Sequence, residues 1–421
     1  MTMPALIGLV ILASCLALAV PARAQDPGAT QTDWRERQTL SGDWNGARPR
    51  LEERGFTILP RITQFYQGQF AGDGPDVFEY GGKADVLARS DLSKLGAWQG
   101  LSFTVHAEVN FGQNLNGAAG AIAPINTALE FPGDDGADYS DLSSVFFGQT
   151  FGSGASLAIG KMNMIDFAAT KPFMGGAGID GFWNTTFAAP PSGLVPPYLL
   201  GAILSVKTEA ATYGLWIYDP TDVVNRSGLE DAFSEGVTIR GNIDFPVTFS
   251  GYEGHQGLVA LYSTYPGTDL DYVGDFIPPF PPGDPQVKNS RYYFAWAFDQ
   301  RLYASPSNPE ESFGLFGQFG ISDGNPTRLY WSALGGVSGT GMVPGRPADN
   351  WGLGLYYDAL SPDLIAALDS VTTIGNEWGT EAYYNFNLAP AVSLGLDLQV
   401  IEPGLGTSTA VFTGVRLVTR F

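Results

Sequence analysis

Beyond residue 24 the chain has no cysteine. The only one, Cys15, lies in the N-terminal apolar run, so a mature protein cut after Ala24 must be held by its own sheet and core rather than by disulfides. Charge is scarce too. Asp, Glu, Lys and Arg make up 15% of the 421 residues, against roughly 25% in soluble domains. There are two histidines, His106 and His255, at no metal-ligand spacing, which excludes an imidazole-based metal centre. After Ala24 no apolar run reaches the roughly 18 residues that a spanning helix needs, and the mean hydropathy of +0.01 fits no helical membrane protein. Positive charge is outnumbered, with 22 basic to 43 acidic residues and a formal charge of −21. That excludes nucleic acid as a partner.

Motifs for chemistry are also missing. Gly176-Ala177-Gly178-Ile179-Asp180-Gly181 matches G-x-G-x-x-G, but no strand and helix flank it, and 54 glycines make chance matches common. A loop is the better reading, and no cofactor is expected. The acidic run Gly133-Asp134-Asp135-Gly136-Ala137-Asp138 lacks the spacing of a calcium loop, and no metal site is expected. No G-x-S-x-G elbow occurs. A Ser/His/acid triad on His106 or His255 would need a nucleophile and an orienting group beside it. Catalytic residues are therefore not assigned, and an outer-membrane enzyme stays as the alternative class.

What the sequence does have begins at its N-terminus. Pro4 to Val20 is an apolar run that ends at Ala22-Arg23-Ala24, an A-x-A cleavage pattern. Residues 1–24 therefore read as a signal peptide for export. Leu12-Ala13-Ser14-Cys15 resembles a lipoprotein signal, but the apolar run continues past it, as an ordinary signal core does. Cleavage removes Arg23 and leaves 21 basic against 43 acidic residues, or −22. Residues 25–56 form a distinct segment. Within it, Leu40 to Gly55 predicts a short helix capped by Asp43 or Asn45 and ended by Gly55, at the periplasmic or lumenal side.

Residues 57–421 read as the barrel domain, and from about Leu101 onward the dominant period is two. Val392, Leu394, Leu396, Leu398 and Val400 share one face, with Ser393, Gly395, Asp397 and Gln399 on the other. Val411, Thr413, Val415, Leu417 and Thr419 oppose Gly414, Arg416, Val418 and Arg420. Leu101, Phe103, Val105, Ala107 and Val109 oppose Ser102, Thr104, His106, Glu108 and Asn110. Such segments run about ten residues, the length of a tilted strand crossing a bilayer. About sixteen can be placed, with the weakest patterns at Thr57–Phe70 and Ala155–Lys161. An open sheet edge cannot exist in hydrocarbon, so membrane strands must close. The fold class is all-β, a transmembrane antiparallel β-barrel of about 16 strands with a short N-terminal helical segment.

Connections alternate between short ones, such as Leu388–Ala391, and long ones: Asn110–Ala137, Met162–Leu200 and Thr264–Asn289, the last with the proline-rich Phe276–Pro282. Met162–Leu200 is too long for mere connection and carries Asp166, Lys171, Trp183 and Asn184, so it is expected to fold into the lumen as a constriction.

The stretch Gly42-Asp43-Trp44-Asn45-Gly46-Ala47-Arg48-Pro49-Arg50-Leu51-Glu52-Glu53-Arg54-Gly55 is similar to the GDWGG-x-R-x-x-L-x-x-x-G opening of the carbohydrate-selective porin (OprB-type) family. Asn45 stands where that family usually has glycine. Asp299-Gln300-Arg301-Leu302-Tyr303, Gly375–Tyr384 and the terminal Gly414–Phe421 resemble it as well. The resemblance spans Leu40 to Phe421 and is weakest in the middle third. It implies a sixteen-stranded outer-membrane barrel that passes glucose and related sugars through a lumen narrowed by charged and aromatic residues. It also implies contact with outer-membrane lipid and lipopolysaccharide, and use of Phe421 by the barrel-assembly machinery.

The expected pore-lining set is Asp166, Lys171, Trp183, Arg89, Glu108, Arg240, Asp299, Arg301, Glu381 and Arg416, with Asp85, Asp397 and Arg420 on the same inward faces. Both signs are mixed, which suits a neutral, hydroxyl-rich solute better than an ion. Trp183 is expected to offer a ring to the C–H face of a sugar. A general, non-selective porin is the nearer alternative. A homotrimer is common among porins, but no interface is legible in this sequence.

Overall fold

The structure is a computed structural model that describes residues 33–421 apart from 75, 134–139 and 273–285. The expected signal peptide with Cys15, the acidic run 134–138 and the proline-rich 276–282 lie outside the described residues. No described helix is long and apolar enough to cross a membrane.

A short helix, α1 (Ala47–Glu53), leads into β1 (Phe56–Ala71), β2 (Phe78–Asp91), β3 (Leu101–Gly112), β4 (Ser140–Thr150) and β5 (Ala155–Asn163). Then follow β6 (Tyr198–Lys207), β7 (Thr212–Tyr218), β8 (Thr238–Phe249) and β9 (Tyr252–Ser263). A small separate hairpin, β10 (Gly267–Thr268) with β11 (Val287–Lys288), precedes β12 (Arg291–Ala304), β13 (Ser312–Ser322), β14 (Leu329–Thr340) and β15 (Asn350–Leu360). The last strands are β16 (Glu377–Ala389), β17 (Val392–Glu402) and β18 (Ala410–Arg420). Leaving out the small hairpin, these are sixteen strands, each antiparallel to its neighbours, and β1 pairs with β18 to close the barrel, with Arg61 opposite Arg420 and Phe65 opposite Arg416. Both weakly patterned segments are full strands, β1 and β5.

The alternation sets the faces. Leu396, Leu398, Val415, Tyr292, Phe294 and Trp296 are exposed, while Asp397, Gln399, Arg416, Glu381 and Glu108 are buried. This reversal of the soluble pattern is what lipid outside and packed polar groups inside require. The few polar side chains on the lipid side find partners in the sheet or beside it. Gln64 accepts from the Tyr80 hydroxyl at 2.7 Å and Gln256 from the Trp296 indole at 2.7 Å. Thr380 and Thr413 donate to the carbonyls of Gly354 and Asp397 at 2.8 and 2.7 Å. In hydrocarbon an unpaired polar atom costs several kcal/mol, so these pairings are needed there.

Short turns gather at the end that holds Phe56 and Arg420. The β8–β9 turn is two residues, Ser250 and Gly251, both at positive φ (51° and 83°), as a tight hairpin between right-twisted strands demands. Long loops gather at the other end, the outer one by the general habit of such barrels. The N-terminal helix differs from expectation in its cap. Gly46, at φ 77°, stands at the N-cap and no side chain caps the helix, because the turn through Trp44 and Asn45 is itself left-handed and carries both side-chain candidates past the helix start. Gly55 ends the helix as expected, at φ 92°.

Candidate functional site in the barrel lumen

Segment 164–197, between β5 and β6, folds inward and crosses the lumen from wall to wall. It starts with α3 (Met164–Ala168), whose cap is Asn163, the side-chain oxygen accepting from the Ile165 N–H at 2.9 Å. Asp166, in the first turn of α3, reaches β3: its carboxylate lies 2.7 Å from His106 Nδ1. His106 Nε2 lies 3.3 Å from Asp85, and Asp85 accepts two bonds from Arg61, at 3.0 and 3.1 Å. With a carboxylate on each ring nitrogen, His106 has none left to take a proton from a serine, so it cannot serve in a hydrolytic triad. His255 is occupied by Asp299 at 3.0 Å.

Further along the segment, Phe167 packs toward Phe146 of β4, with ring centroids 6.2 Å apart. Phe173 then reaches the far wall, where its carbonyl accepts from Ser338 of β14 at 2.5 Å. Beyond it, Phe182 and Phe187 (in α4, Thr185–Ala188) enter an aromatic cluster with Phe316, Tyr356 and Tyr383 on the wall. Phe182 lies 4.6 Å from Phe187, 4.8 Å from Tyr383 and 5.4 Å from Phe316. Glycines in the wall make room for these rings: a Cβ at Gly354 would sit 2.5 Å from Phe187 Cε1, and one at Gly414 2.7 Å from Trp183 Cζ3.

Charged residues of β16–β18 clamp the backbone of this segment. Glu381 accepts the N–H groups of Trp183 and Asn184 at 2.5 and 3.0 Å. Arg416 donates to the carbonyls of Gly178 and Gly181 at 2.8 and 3.1 Å and to Asn385 at 2.8 Å, with its guanidinium 4.9 Å over the Trp183 ring. Arg420 pairs with Asp180. A second inward loop, which includes α2 (Thr127–Glu130), lies beside it. Glu377 accepts from the N–H groups of Ile122 and Ala123 at 2.6 and 3.0 Å, Gln399 donates to the Ile125 carbonyl at 2.9 Å, and Thr127 N–H donates to the Trp183 carbonyl at 2.8 Å. Burial pushes the Glu130 carboxyl in this loop upward, and a hydrogen bond from Asn116 opposes the rise. On the β2–β5 wall, Glu108 accepts from Lys83 at 2.7 Å, Asn163 at 3.0 Å and Tyr198 at 3.0 Å. Lys161 pairs with Asp141 at 2.7 Å.

The expected lining residues therefore divide. Asp166 and Lys171 face the water of the lumen, and Arg240, Asp299 and Arg301 are part-exposed on β8 and β12. Arg89 is exposed near the short-turn end, opposite Thr57 and Thr104. Trp183, Glu108, Glu381 and Arg416 correct the expectation. Trp183 and Arg416 have no accessible surface and Glu381 has 1%, so no solute can touch them. They are inward-facing, as the period-two pattern requires, but the loops cover them.

Trp216 is a lumenal residue that the sequence reading did not single out. The Arg240 guanidinium lies 3.7 Å above its ring. Its strand, Thr212–Tyr218, carries large apolar residues on both faces, so alternation was masked there. No local signal marks Glu377 as the carboxylate that holds a loop 255 residues away in the sequence.

A sequence model of the family described as carbohydrate-selective porin, OprB family, matches residues 77–421. The fold is similar to OprB of Pseudomonas putida in its high-pH structure, with 17% identity over 93% of this chain and 100% of that chain and a TM-score of 0.80. The low-pH structure of the same protein gives 14% identity, 92% and 99% coverage, and a TM-score of 0.58. Among curated sequences nothing matches.

Proposed function

Since this chain belongs to the carbohydrate-selective porin (OprB) family and is an outer-membrane sugar porin, we propose that its solute passes along the water-facing strip between segment 164–197 and the wall of β7, β8, β9 and β12. The observation that carries this reading is the division of the lumen. Loops and aromatic rings fill the side against β13–β18, while Asp166, Lys171, Arg240, Asp244, Asp299 and Arg301 stay in contact with water. Along that strip, carboxylates and guanidinium groups are set to exchange hydrogen bonds with hydroxyls, and both signs alternate, which disfavours steep selection of either ion. We assign no chemical step to the protein: His106 has a carboxylate on each ring nitrogen, and His255, bonded to Asp299 through Nδ1, has no hydroxyl or thiol bonded to its Nε2 among the described residues. Contact with lipopolysaccharide at the outer rim and capture of β18 through Phe421 by the assembly machinery belong to this proposal as well.

The test is influx into proteoliposomes of glucose, a disaccharide, an amino acid and salt. Faster glucose influx than that of equally sized solutes is the expected result. Influx governed by size alone would indicate a general porin, and none at all would mean that the loops seal the lumen.

A further inference from the structure

On the lipid side of the barrel, near its outer rim, one stretch of wall is roofed over. Cross-strand partners share a face of the sheet. Trp331 of β14 lies opposite Ile321 of β13, so it points outward with Ile321 and Phe319, both exposed. Ala359 of β15 lies opposite Trp331 and points outward as well, yet only 4% of its surface is accessible. The β15–β16 loop stands over it. There Ser361 caps a short helix, α5 (Pro362–Leu368), its hydroxyl accepting from the Leu364 N–H at 3.3 Å.

Between α5 and the sheet runs a crevice of about 530 Å³. The helix turns Pro362, Ile365 and Ala366 to it, the i, i+3 and i+4 positions of one face, with Asp369 one turn further at the helix end. Tyr330, Trp331 and Ala359 form the opposite wall. Trp331 is fixed there by stacking on Tyr357, with centroids 4.9 Å apart and planes 15° from parallel. Asn376, which also lines the crevice, is already engaged. Its Nδ2 donates to the Tyr357 hydroxyl at 2.9 Å, and its side-chain oxygen accepts from the Leu360 N–H at 3.0 Å. Apart from Asp369 at one end, the walls suit an apolar occupant that makes no hydrogen bonds.

We infer that this crevice holds one acyl chain of a lipopolysaccharide molecule of the outer leaflet. The inference deepens the proposed rim contact with lipopolysaccharide and rests on it. Continuity decides the occupant. The crevice opens on the face that carries Phe319, Ile321 and Trp378, which lipid chains cover, and it lies at the long-loop end. The solvent there is hydrocarbon, and a gap without a chain forfeits the contacts of its lining. Between apolar surfaces in lipid the gain is packing rather than release of water. A slot with stacked aromatic rings on one wall and a helix on the other therefore holds a chain more tightly than the open barrel face does.

The experiment extracts the full mature chain from outer membranes into mild detergent, washes it, and measures the lipid that stays bound. Mass spectrometry of the fatty acids identifies the source, since lipopolysaccharide carries β-hydroxylated acyl chains and phospholipid does not. The wild-type protein keeps lipopolysaccharide through the wash. Ile365→Trp and Ala366→Trp each fill the crevice and lower the retained amount by about tenfold, the weight of about ten lost carbon–carbon contacts. Val371→Trp, in the same loop at an exposed site outside the crevice, keeps the wild-type amount. Glucose influx is unchanged in all three variants, and heat-modifiable gel migration verifies the barrel in each. Equal retention by the wild type and the filled variants overturns the slot and leaves the rim contact standing. Retention of phospholipid alone, or a dimer of the chain that Ala366→Trp splits, gives the crevice another occupant and overturns the inference. A wild type that keeps no lipid also overturns the slot. If added lipopolysaccharide then leaves its Tm unchanged as well, the rim contact falls with it.

Discussion

The wall of β15–β18 and the wall of β7–β12 carry the same kinds of inward side chain, yet one is dry and the other wet. On β16–β18, Glu377, Glu381, Asp397 and Arg416 are buried and most of their polar atoms bond to loop backbone or to each other. On β8–β12, Arg240, Asp244 and Asp299 are part- or well exposed, and His255 is 51% exposed at its side chain. Strand alternation is identical on the two sides. The difference comes from which strip a loop covers, and it converts pore-lining charges into clamps. A buried charge needs full satisfaction, since leaving it unpaired costs several kcal/mol. For Glu377, Glu381 and Arg416 the loop backbone supplies most of that satisfaction, and in return the charge holds the loop in place.

Breaking a clamp has the largest expected effect. Arg416→Met removes three charge-assisted hydrogen bonds to Gly178, Gly181 and Asn385 and destabilises by about 3–5 kcal/mol, after allowing for the desolvation that the guanidinium no longer suffers. Urea unfolding measures the loss. Single-channel recordings of the same variant show a larger and noisier conductance, because the crossing segment loses its anchor on β18. An unchanged conductance would show that the segment does not narrow the channel.

A charge on the lipid face comes next. Leu396→Arg places an arginine in hydrocarbon and costs about 2–4 kcal/mol near the bilayer midplane, whereas Gln318→Arg, on a part-exposed lumen position of β13, stays within about 0.5 kcal/mol. Equal costs would refute the face assignment. Gln399 is no fair control, although it shares the inward face. It is 1% exposed and binds Ile125, Asp397 and Asn184, so an acid there meets a carbonyl and another carboxylate.

The smallest effect falls on the wet side. Trp216→Ala removes a part-exposed cation–π contact worth about 0.5–1 kcal/mol and leaves overall stability nearly unchanged. It is read in solute selectivity rather than in unfolding.

Much of this was legible in the residues. Asp397 and Gln399 alternate with Leu396 and Leu398, which is enough to place them inward, and β1 and β5 were found despite weak patterns. Met162–Leu200 showed its inward fold by length and composition. Trp183 shows where such reading ends. It was expected to face a sugar, and instead it is packed 5.1 Å from Phe65, edge to face, and bonded through its backbone to Glu381. A period-two pattern says which side of a sheet a residue is on, and nothing about what lies over it.

The sequence by itself determined the strands, their faces, closure of the barrel and the membrane it suits, because these follow from local alternation and from the need to satisfy every backbone group in lipid. Only the tertiary structure decided which inward charges touch water. That depends on contacts such as Glu377 with Ile122 and Arg416 with Gly178, each bridging more than two hundred residues, and no local pattern encodes where a loop will land.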